Sequence, residues 1–328
     1  MVTVVTAERL DCAAFRSIVP TQPFHFDGTF FNPSHFPSGD QHWEPGRYWQ
    51  TMRLGANTYA LRLVAGSTGK HTSIDLTVYS REPAAPAALD AIVAELEWRF
   101  DLQRAAVPAF VAAFKRDGKV GPAIRRRAGM RPASAYSLYE YLVITVMLQN
   151  TVVRRSVAML QALLERYGTL VEFDGRTLWA FWSPEAIDSV TEDELRALKV
   201  GYRAKTLKRQ ADQFVRGAVD EQSLRREPDA GALVASLDAI YGVGPQSAAY
   251  LLGEFFHRYD RLDYVPPWEA KVFTRLLDLP NASAADIRDL FHHTYHPYPH
   301  LAACYLWTDL FWRHREQPLD WLESLIRL

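Results

Sequence analysis

The sequence has 328 residues, 48% of them hydrophobic and 23% charged, as in an ordinary globular protein with room for more than one domain. A formal net charge of −1 argues against a surface covered by nonspecific nucleic-acid contacts, although it permits a local basic face. The only cysteines, Cys12 and Cys304, cannot supply a disulfide framework or a four-cysteine zinc or iron–sulfur site. We expect a cytoplasmic protein without membrane contact, because no apolar run approaches the roughly 20 residues of a membrane helix and the N-terminal stretch lacks the features of a secretory signal.

The first 88 residues have the alternation of an antiparallel sheet. Tyr48–Leu54, Tyr59–Ala65 and Ser73–Tyr79 are rich in β-forming residues and are separated by glycine-containing turns. Phe24–Phe31 is a further strand candidate. The proline- and alanine-rich stretch Glu82–Ala88 ends the pattern and predicts a linker.

From Leu89 onward the hydrophobic spacing becomes helical. Ser137–Gln149 is apolar nearly all round, which is typical of a helix buried among others. Thr191 and Glu194 have the spacing of a capping box at another helix start. The sequence therefore predicts an α+β protein, in which a small β-rich domain precedes an all-helical body.

Histidines are concentrated near the C-terminus, at His292, His293, His296 and His300. Pro297 and Pro299 would interrupt a helix that carries the later ones, and no glutamate accompanies them in the arrangement of a zinc protease. We interpret them as loop histidines and predict no metal site from them.

Leu237–Glu269 predicts the end of one helix, a tight turn, a second helix, a loop and the start of a third helix. Gly242 and Gly244 flank Val243 in the turn, and Pro245 takes the first helical position, which proline favours. Free N–H groups at such a helix start attract anions, phosphate above all. An ordinary helical corner without a ligand is the alternative interpretation.

Two acidic residues next to the turn are candidates for catalysis. Glu269 follows Pro267 and Trp268 at the predicted helix start, where unpaired N–H groups and the helix dipole favour a carboxylate. Asp263 lies in the loop before the prolines. Acidic residues at helix starts are also common in proteins without catalytic activity, so the pattern alone leaves both interpretations open.

Taken in order, four stretches resemble the helix-hairpin-helix DNA glycosylases (HhH-GPD), the superfamily of 8-oxoguanine glycosylase, 3-methyladenine DNA glycosylase II and endonuclease III. They are Tyr141–Thr151, Leu195–Lys205, Leu237–Leu251 and Pro267–Val272. The first resembles the loop that wedges into DNA, and the second a glycine–tyrosine–arginine–lysine turn. The third resembles the hairpin, and the fourth the start of the helix that bears the catalytic acid.

The resemblance covers residues 135–280, and the β-rich front resembles the extra N-terminal domain of the 8-oxoguanine and 3-methyladenine branches. It implies an antiparallel β-sheet domain at 1–88 and a mostly α-helical glycosylase body at 89–328. Within the body it implies a central subdomain, 135–260, that contains the hairpin at 237–253. A second subdomain would combine residues 89–134 and 261–328.

The resemblance also implies binding of double-stranded DNA by a monomeric repair protein, with a base flipped out of the duplex and the gap filled by a wedge. The implied DNA contacts are Gln149, Asn150, Thr151, Tyr202, Arg203, Lys205, Gly242, Val243, Gly244 and Gln246. Trp268 is the implied wall of the base pocket, with Tyr202, Trp307 and Trp312 as further candidates that would serve equally as core residues. No cofactor and no iron–sulfur cluster are expected, apart from Na⁺ or K⁺ at the hairpin carbonyls.

The sequence departs from the family at two positions. Bifunctional members have a nucleophilic lysine two residues past the second hairpin glycine, where this chain has Gln246, so no lyase activity is expected. The family's catalytic residue is an aspartate, whereas Glu269 takes its place here. An alignment without a shift on Val265–Pro267 would instead put Trp268 at that position and leave no acid.

We therefore expect a monofunctional DNA glycosylase of base excision repair that hydrolyses the N-glycosidic bond of a damaged, alkylated purine. Glu269, or alternatively Asp263, would stabilise the positive sugar and activate water. A non-catalytic DNA-binding protein that keeps the fold and recognises distorted duplex is the main alternative. A helical protein unrelated to DNA is the third.

Overall fold

The computed structural model describes residues 6–35, 37–132 and 134–325. The strands are β1 (Glu8–Arg9), β2 (Cys12–Ile18), β3 (Gln41–Glu44), β4 (Arg47–Leu54), β5 (Asn57–Thr68), β6 (His71–Ser80), β7 (Thr169–Phe173) and β8 (Arg176–Ala180). The helices are α1 (Phe26–Phe30), α2 (Pro86–Arg99), α3 (Ala106–Phe114), α4 (Gly121–Arg126), α5 (Leu138–Leu148), α6 (Val153–Tyr167), α7 (Pro184–Asp188), α8 (Glu192–Ala197), α9 (Arg203–Val215), α10 (Glu221–Arg226), α11 (Ala230–Asp238), α12 (Pro245–Tyr250), α13 (Pro267–Leu277), α14 (Ala284–Thr294), α15 (Pro299–Glu316) and α16 (Asp320–Glu323). In the described part of the chain, none of these helices is both long enough and apolar enough to cross a membrane.

The chain forms two compact units that are interleaved along the sequence. The first unit contains Met1–Pro20, Phe36–Trp98 and Tyr136–Asp220. The second contains Thr21–His35, Arg99–Ala135 and Glu221–Leu328. The sheets belong to the first unit, and the predicted hairpin and both acidic candidates belong to the second.

In the first unit, β2 to β6 form a five-stranded antiparallel sheet in the order β2-β6-β5-β4-β3. Leu61 on the central strand β5 is fully buried and lies opposite Gln50 of β4 and Val78 of β6. The three predicted strands are confirmed as β4, β5 and β6. The α+β fold class predicted from the sequence is confirmed as well.

The sequence prediction missed the hairpin of β7 and β8, to which β1 adds in parallel. Its turn, Asp174–Gly175, has positive φ at both residues, 48° and 69°. An Asp-Gly pair between alternating residues is a strong sequence signal for such a two-residue turn. The Asp174 carboxylate also accepts hydrogen bonds from Trp49 Nε1 at 2.7 Å and Tyr79 Oη at 2.9 Å, which ties the hairpin to the larger sheet.

The strand predicted at Phe24–Phe31 is wrong, because Phe26–Phe30 is the helix α1. The Nδ1 atom of His25 accepts a hydrogen bond from Gly28 N at 2.9 Å and so caps the helix start. Phe26 and Phe30, one turn apart, bring their ring centroids to 4.6 Å. The local cap and this aromatic contact outweigh the β propensity of the phenylalanines.

Two further predictions need correction. The predicted linker Glu82–Ala88 extends too far, because α2 begins at Pro86, a position that suits proline. The histidines are mostly not in loops, since His292 and His293 lie in α14 and His300 lies in α15, which Pro299 begins. Within the described residues, no group of three or more metal-ligating side chains forms a metal site.

The core of the second unit is built from α3, α4, α13, α14 and α15, with Phe110, Ile124, Phe273, Phe291 and Leu301 buried at its centre. Next to this core, α12 continues into a π-helical turn, Leu251–Phe255, which the hydrogen bond from Phe256 N to Leu251 O closes at 2.9 Å. π-Helical turns of this kind occur often at functional sites.

A glycine allows this turn to approach the buried side chain of His300. A Cβ atom added at Gly253 would lie 2.0 Å from His300 Cε1. The imidazole cannot move away easily, because Tyr259 stacks on it with a centroid distance of 6.1 Å and an interplanar angle of 16°.

We expect Gly253→Ala to lower the free energy of unfolding by about 1–3 kcal/mol, because the extra methyl overpacks this contact. Gly118→Ala is the matched control, since Gly118 is exposed and has no atom within 4 Å of an added Cβ. Urea unfolding of both variants tests the prediction. Equal stability of the two variants would contradict it.

Candidate active site

The turn between α11 and α12 forms a tight hairpin. Val243 N donates to Ile240 O at 3.1 Å, and Gly242 has a φ of 80°, in the left-handed region that favours glycine. Gly244 is the extended residue before α12, and Pro245 occupies the first helical turn. Within the described chain, no side chain caps this helix start, so its N–H groups are available to a ligand.

The first turn of α13 presents Glu269 close to α12. Pro266 precedes the helix and Pro267 begins it, which fixes where the carboxylate emerges. Tyr250 Oη, at the end of α12, donates a hydrogen bond of 2.5 Å to Glu269 Oε1. The predicted acid is therefore attached directly to the second helix of the hairpin.

Glu269 and Tyr250 line a cavity of about 120 Å³ inside the second unit. Its wall also includes Glu254 from the π-helical turn, and His300, Cys304 and Trp307 from α15. This part of the wall thus combines two carboxylates with aromatic and weakly polar side chains.

Burial raises the pKa of Glu269 to about 7, with a further contribution from the negative charge of Glu254, although the hydrogen bond from Tyr250 opposes the rise. Burial also lowers the pKa of His300 to about 4 and raises that of the Cys304 thiol. At neutral pH the imidazole and the thiol are therefore uncharged. Any negative charge at this part of the wall comes from the two carboxylates.

The alternative acid, Asp263, has a different environment. It also lines the cavity, but its side chain is exposed and accepts a forked pair of hydrogen bonds from Arg261, Nε to Oδ1 at 2.9 Å and Nη2 to Oδ2 at 2.7 Å. Both carboxylate oxygens of Asp263 are therefore engaged by Arg261.

The tryptophans occupy distinct places. Trp307 lines the cavity, whereas Trp268 is 45% exposed and packs edge-on against Trp307 with ring centroids 5.3 Å apart. Trp312 contacts the guanidinium of Arg127 at 4.8 Å. Gln246 is exposed in the first turn of α12, and its side chain hydrogen-bonds Tyr250.

The other predicted DNA contacts lie in the first unit, in the loop after α5 and at the start of α9. Asn150 adopts a positive φ of 47° between Gln149 and Thr151. Tyr202 is 57% exposed, and Lys205 is exposed as well. These side chains face solvent or lie partly in it, as a binding surface requires.

Arg203 is an exception, because its side chain is buried. Its guanidinium donates to Val146 O at 3.0 Å and to Gln149 O, the carbonyls at the end of α5. It also lies over the Tyr202 ring at 4.7 Å. In this structure Arg203 therefore connects the start of α9 to the loop after α5.

Sequence reasoning missed Tyr250, Glu254, His300 and Cys304 as cavity residues. The signal for the first two was their spacing after Gln246, since residues four apart share a face of a helix. Nothing in the sequence indicated that His300 and Cys304 would line the same cavity.

No protein-family model matches the sequence, and no curated protein shows a significant match. Solved structures do match. The 3-methyladenine DNA glycosylase from Archaeoglobus fulgidus gives a TM-score of 0.71 at 17% sequence identity, over 90% of this chain and 99% of that one. MBOgg1, in complex with a low-affinity DNA ligand, gives a TM-score of 0.67 at 17% sequence identity, over 95% of this chain and 99% of that one.

The Clostridium acetobutylicum 8-oxoguanine glycosylase/lyase, in complex with double-stranded DNA that contains cytosine opposite 8-oxoguanine, gives a TM-score of 0.64 at 18% identity, over 94% of this chain and 99% of that one. The fold of this chain is therefore that of the helix-hairpin-helix DNA glycosylases. This likeness confirms the fold resemblance inferred from the four sequence stretches.

The raised pKa of Glu269 makes stability depend on pH. The folded protein holds this proton up to about pH 7, whereas an ordinary glutamate has a pKa of 4.5, so stability should fall as pH rises through that window. We expect Glu269→Gln to remove this loss, so the variant gains stability relative to wild type at alkaline pH but not at acidic pH. Urea unfolding on both sides of the window measures the effect, with the exposed Glu323→Gln as control.

Arg203 should contribute to the stability of the fold. We expect Arg203→Lys to lower the free energy of unfolding by about 1–3 kcal/mol, because lysine cannot reproduce the forked donation to two backbone carbonyls. Lys205→Ala is the control, since Lys205 is exposed on the same helix. An unchanged free energy of unfolding in Arg203→Lys would show that the buried guanidinium does not stabilise the fold.

Proposed function

We propose that the protein is a monofunctional DNA glycosylase that releases a damaged purine, an alkylated one, from double-stranded DNA. The observation that carries the proposal is the half-buried carboxylate of Glu269, held by Tyr250 at the wall of a cavity beside the hairpin. The likeness to glycosylases supports it through the fold.

Glu269 suits the role of general base. A carboxylate with a pKa of about 7 is partly ionised at neutral pH and accepts a proton more readily than an ordinary one. In the proposed reaction, water attacks C1′ of the deoxyribose while the C1′–N bond breaks and its electron pair leaves with the base. The water proton passes to Glu269, and the carboxylate also stabilises the positive charge that develops on the sugar.

The absence of a nucleophilic amine at position 246 supports hydrolysis over lyase chemistry. Gln246 cannot form a Schiff base with the sugar, and its side chain instead contacts Tyr250, the partner of Glu269. Water is then the only nucleophile that the proposed mechanism uses.

DNA would be held at the two surfaces that the sequence indicated. The free N–H groups behind Gly242, Val243 and Gly244 suit a phosphate, and exposed Tyr202 and Lys205 suit the backbone near a wedge formed by Gln149, Asn150 and Thr151. The carbonyl oxygens of the hairpin turn are ligands of the kind that Na⁺ or K⁺ takes, so the turn would hold such an ion.

Release of free base from duplex oligonucleotides that contain single lesions tests the proposal. Wild type should release an alkylated purine, and Glu269→Gln should reduce the rate by at least about 100-fold, because it removes the base. Activity of the wild type should rise with pH through about 7, as Glu269 ionises.

Asp263→Asn and Glu323→Gln are the controls, and both should retain most of the activity. Equal release by wild type and Glu269→Gln would contradict the role of Glu269. Salt-sensitive duplex binding without release from any lesion would instead support a non-catalytic DNA-binding protein.

A further inference from the structure

A second cavity in the second unit, of about 300 Å³, shares no lining residue with the cavity that Glu269 lines. It opens between α10, α11 and the chain that follows the π-helical turn. Its lining carries four arginines and two carboxylates, namely Arg104, Arg225, Arg226, Arg258, Glu227 and Asp260. This arginine-lined cavity therefore has an excess of positive charge, although the whole chain has a net charge of −1.

Two of the four arginines are matched by acids that lie outside the lining. Arg225 forms an ion pair with Glu221 one turn earlier in α10. Arg104 Nε lies 3.4 Å from Oδ1 of Asp101, whose side chain is completely buried. These two ion pairs fix the guanidinium groups at the wall, and neither of them uses a carboxylate of the cavity.

The other two arginines, Arg226 and Arg258, make no ion pair with any residue that the structure describes. Nη2 of Arg258 donates to Glu227 O and, at 2.9 Å, to Pro228 O, which holds the guanidinium in place. Arg226 is exposed, and its Nη2 donates only to Ser223 Oγ at a long distance of 3.4 Å. Both side chains therefore keep hydrogen-bond donors for a ligand in the cavity.

The two carboxylates of the lining restrict which anion can bind. Glu227 Oε1 accepts a hydrogen bond from Asp229 N at 2.9 Å, whereas Asp260 is exposed and would repel an anion. A ligand must therefore carry more than one negative charge to be attracted by the arginines more strongly than it is repelled. A terminal phosphate carries about two negative charges at neutral pH, and the planar guanidinium matches its oxygens in pairs, whereas an internal phosphodiester carries only one charge.

We propose that the arginine-lined cavity is a binding site for a terminal phosphate or diphosphate group. The group would belong either to a small free compound or to the 5′ end of a DNA strand, and a volume of about 300 Å³ is that of a small-ligand site. The inference is independent of the proposed glycosylase function and of the phosphate contact proposed for the hairpin, because neither of them uses these residues.

The position of Arg258 gives the proposal a consequence for the backbone. Arg258 N donates to Leu252 O at 2.7 Å, beside the bond of 2.9 Å from Phe256 N to Leu251 O that closes the π-helical turn. A ligand that holds the Arg258 side chain opposes local opening of the chain at this point. Hydrogen exchange at the amides of Phe256 and Arg258 should therefore slow when the cavity is occupied.

Isothermal titration of the full chain with inorganic pyrophosphate at low salt tests the proposal. Arg226→Ala should weaken binding by roughly 10-fold, because charge-assisted hydrogen bonds are lost. Asp260→Asn should strengthen binding by about 2- to 5-fold, because a like charge is removed. Arg288→Ala is the matched control and should bind as wild type does, since Arg288 lies outside the cavity and pairs with Asp289 at 2.9 Å.

Two duplexes that differ only in a 5′-phosphate or a 5′-hydroxyl end distinguish the sources of the phosphate. Tighter binding of the phosphorylated duplex, lost in Arg226→Ala, would identify a DNA end as the ligand. Equal binding of the two duplexes by a protein that binds pyrophosphate in this cavity would identify a free phosphate compound.

The proposal is contradicted if wild type does not bind pyrophosphate at millimolar concentration. It is also contradicted if folded Arg226→Ala and Asp260→Asn bind pyrophosphate as wild type does, which would locate the anion elsewhere, for example at the hairpin. Both substituted side chains are exposed, so the test does not depend on Arg258→Ala, which would remove the two contacts to backbone carbonyls. Absence of base release with intact pyrophosphate binding would contradict the proposed function alone.

Discussion

The hydrogen bond from Tyr250 to Glu269 is the contact on which the candidate site depends, because it joins the end of α12 to the start of α13. Three effects determine the pKa of this carboxylate. Burial and the nearby charge of Glu254 favour the protonated form, whereas the tyrosine hydroxyl favours the ionised one. Their balance leaves the pKa at about 7, in the range where a group can both accept and hold a proton at physiological pH. A carboxylate in the same helix position, but exposed, would be ionised throughout this range and would be a weaker base.

The packing of the π-helical turn determines which groups reach the cavity. Gly253 can lie against His300 only because it has no Cβ, and the ring of Tyr259 lies nearly parallel to the imidazole. A regular α-helix would place the residues after Tyr250 differently and would turn Glu254 away from its present position. The same backbone feature therefore supplies the second carboxylate and sets the environment of the first. Gly253 therefore affects both the packing of this turn and the position of the Glu254 carboxylate.

The parts of the fold that depend on local sequence pattern were predicted best. Alternation located β4, β5 and β6, and proline and glycine located the hairpin and the start of α13, because these residues restrict the backbone wherever they occur. Phe26–Phe30 was mispredicted because a histidine cap and an aromatic contact decide its conformation. Most of the cavity could not be predicted from the sequence. Its residues Glu254, His300 and Cys304 come together through a helix irregularity and through tertiary packing. Arg203 shows the same limit, because its role depends on carbonyls about fifty residues earlier in the chain.

The fold alone leaves the substrate open, since structures with this fold and 17–18% identity include both 3-methyladenine and 8-oxoguanine glycosylases. The chemistry of the leaving base distinguishes between possible substrates. A neutral purine leaves as an anion unless an acid protonates it, whereas a cationic purine leaves as a neutral molecule and needs no acid. In this cavity His300 is uncharged and Cys304 is a weak acid, so neither is suited to protonate a leaving base. Under the proposed function, a base that already carries its positive charge would need no such proton donor in order to leave.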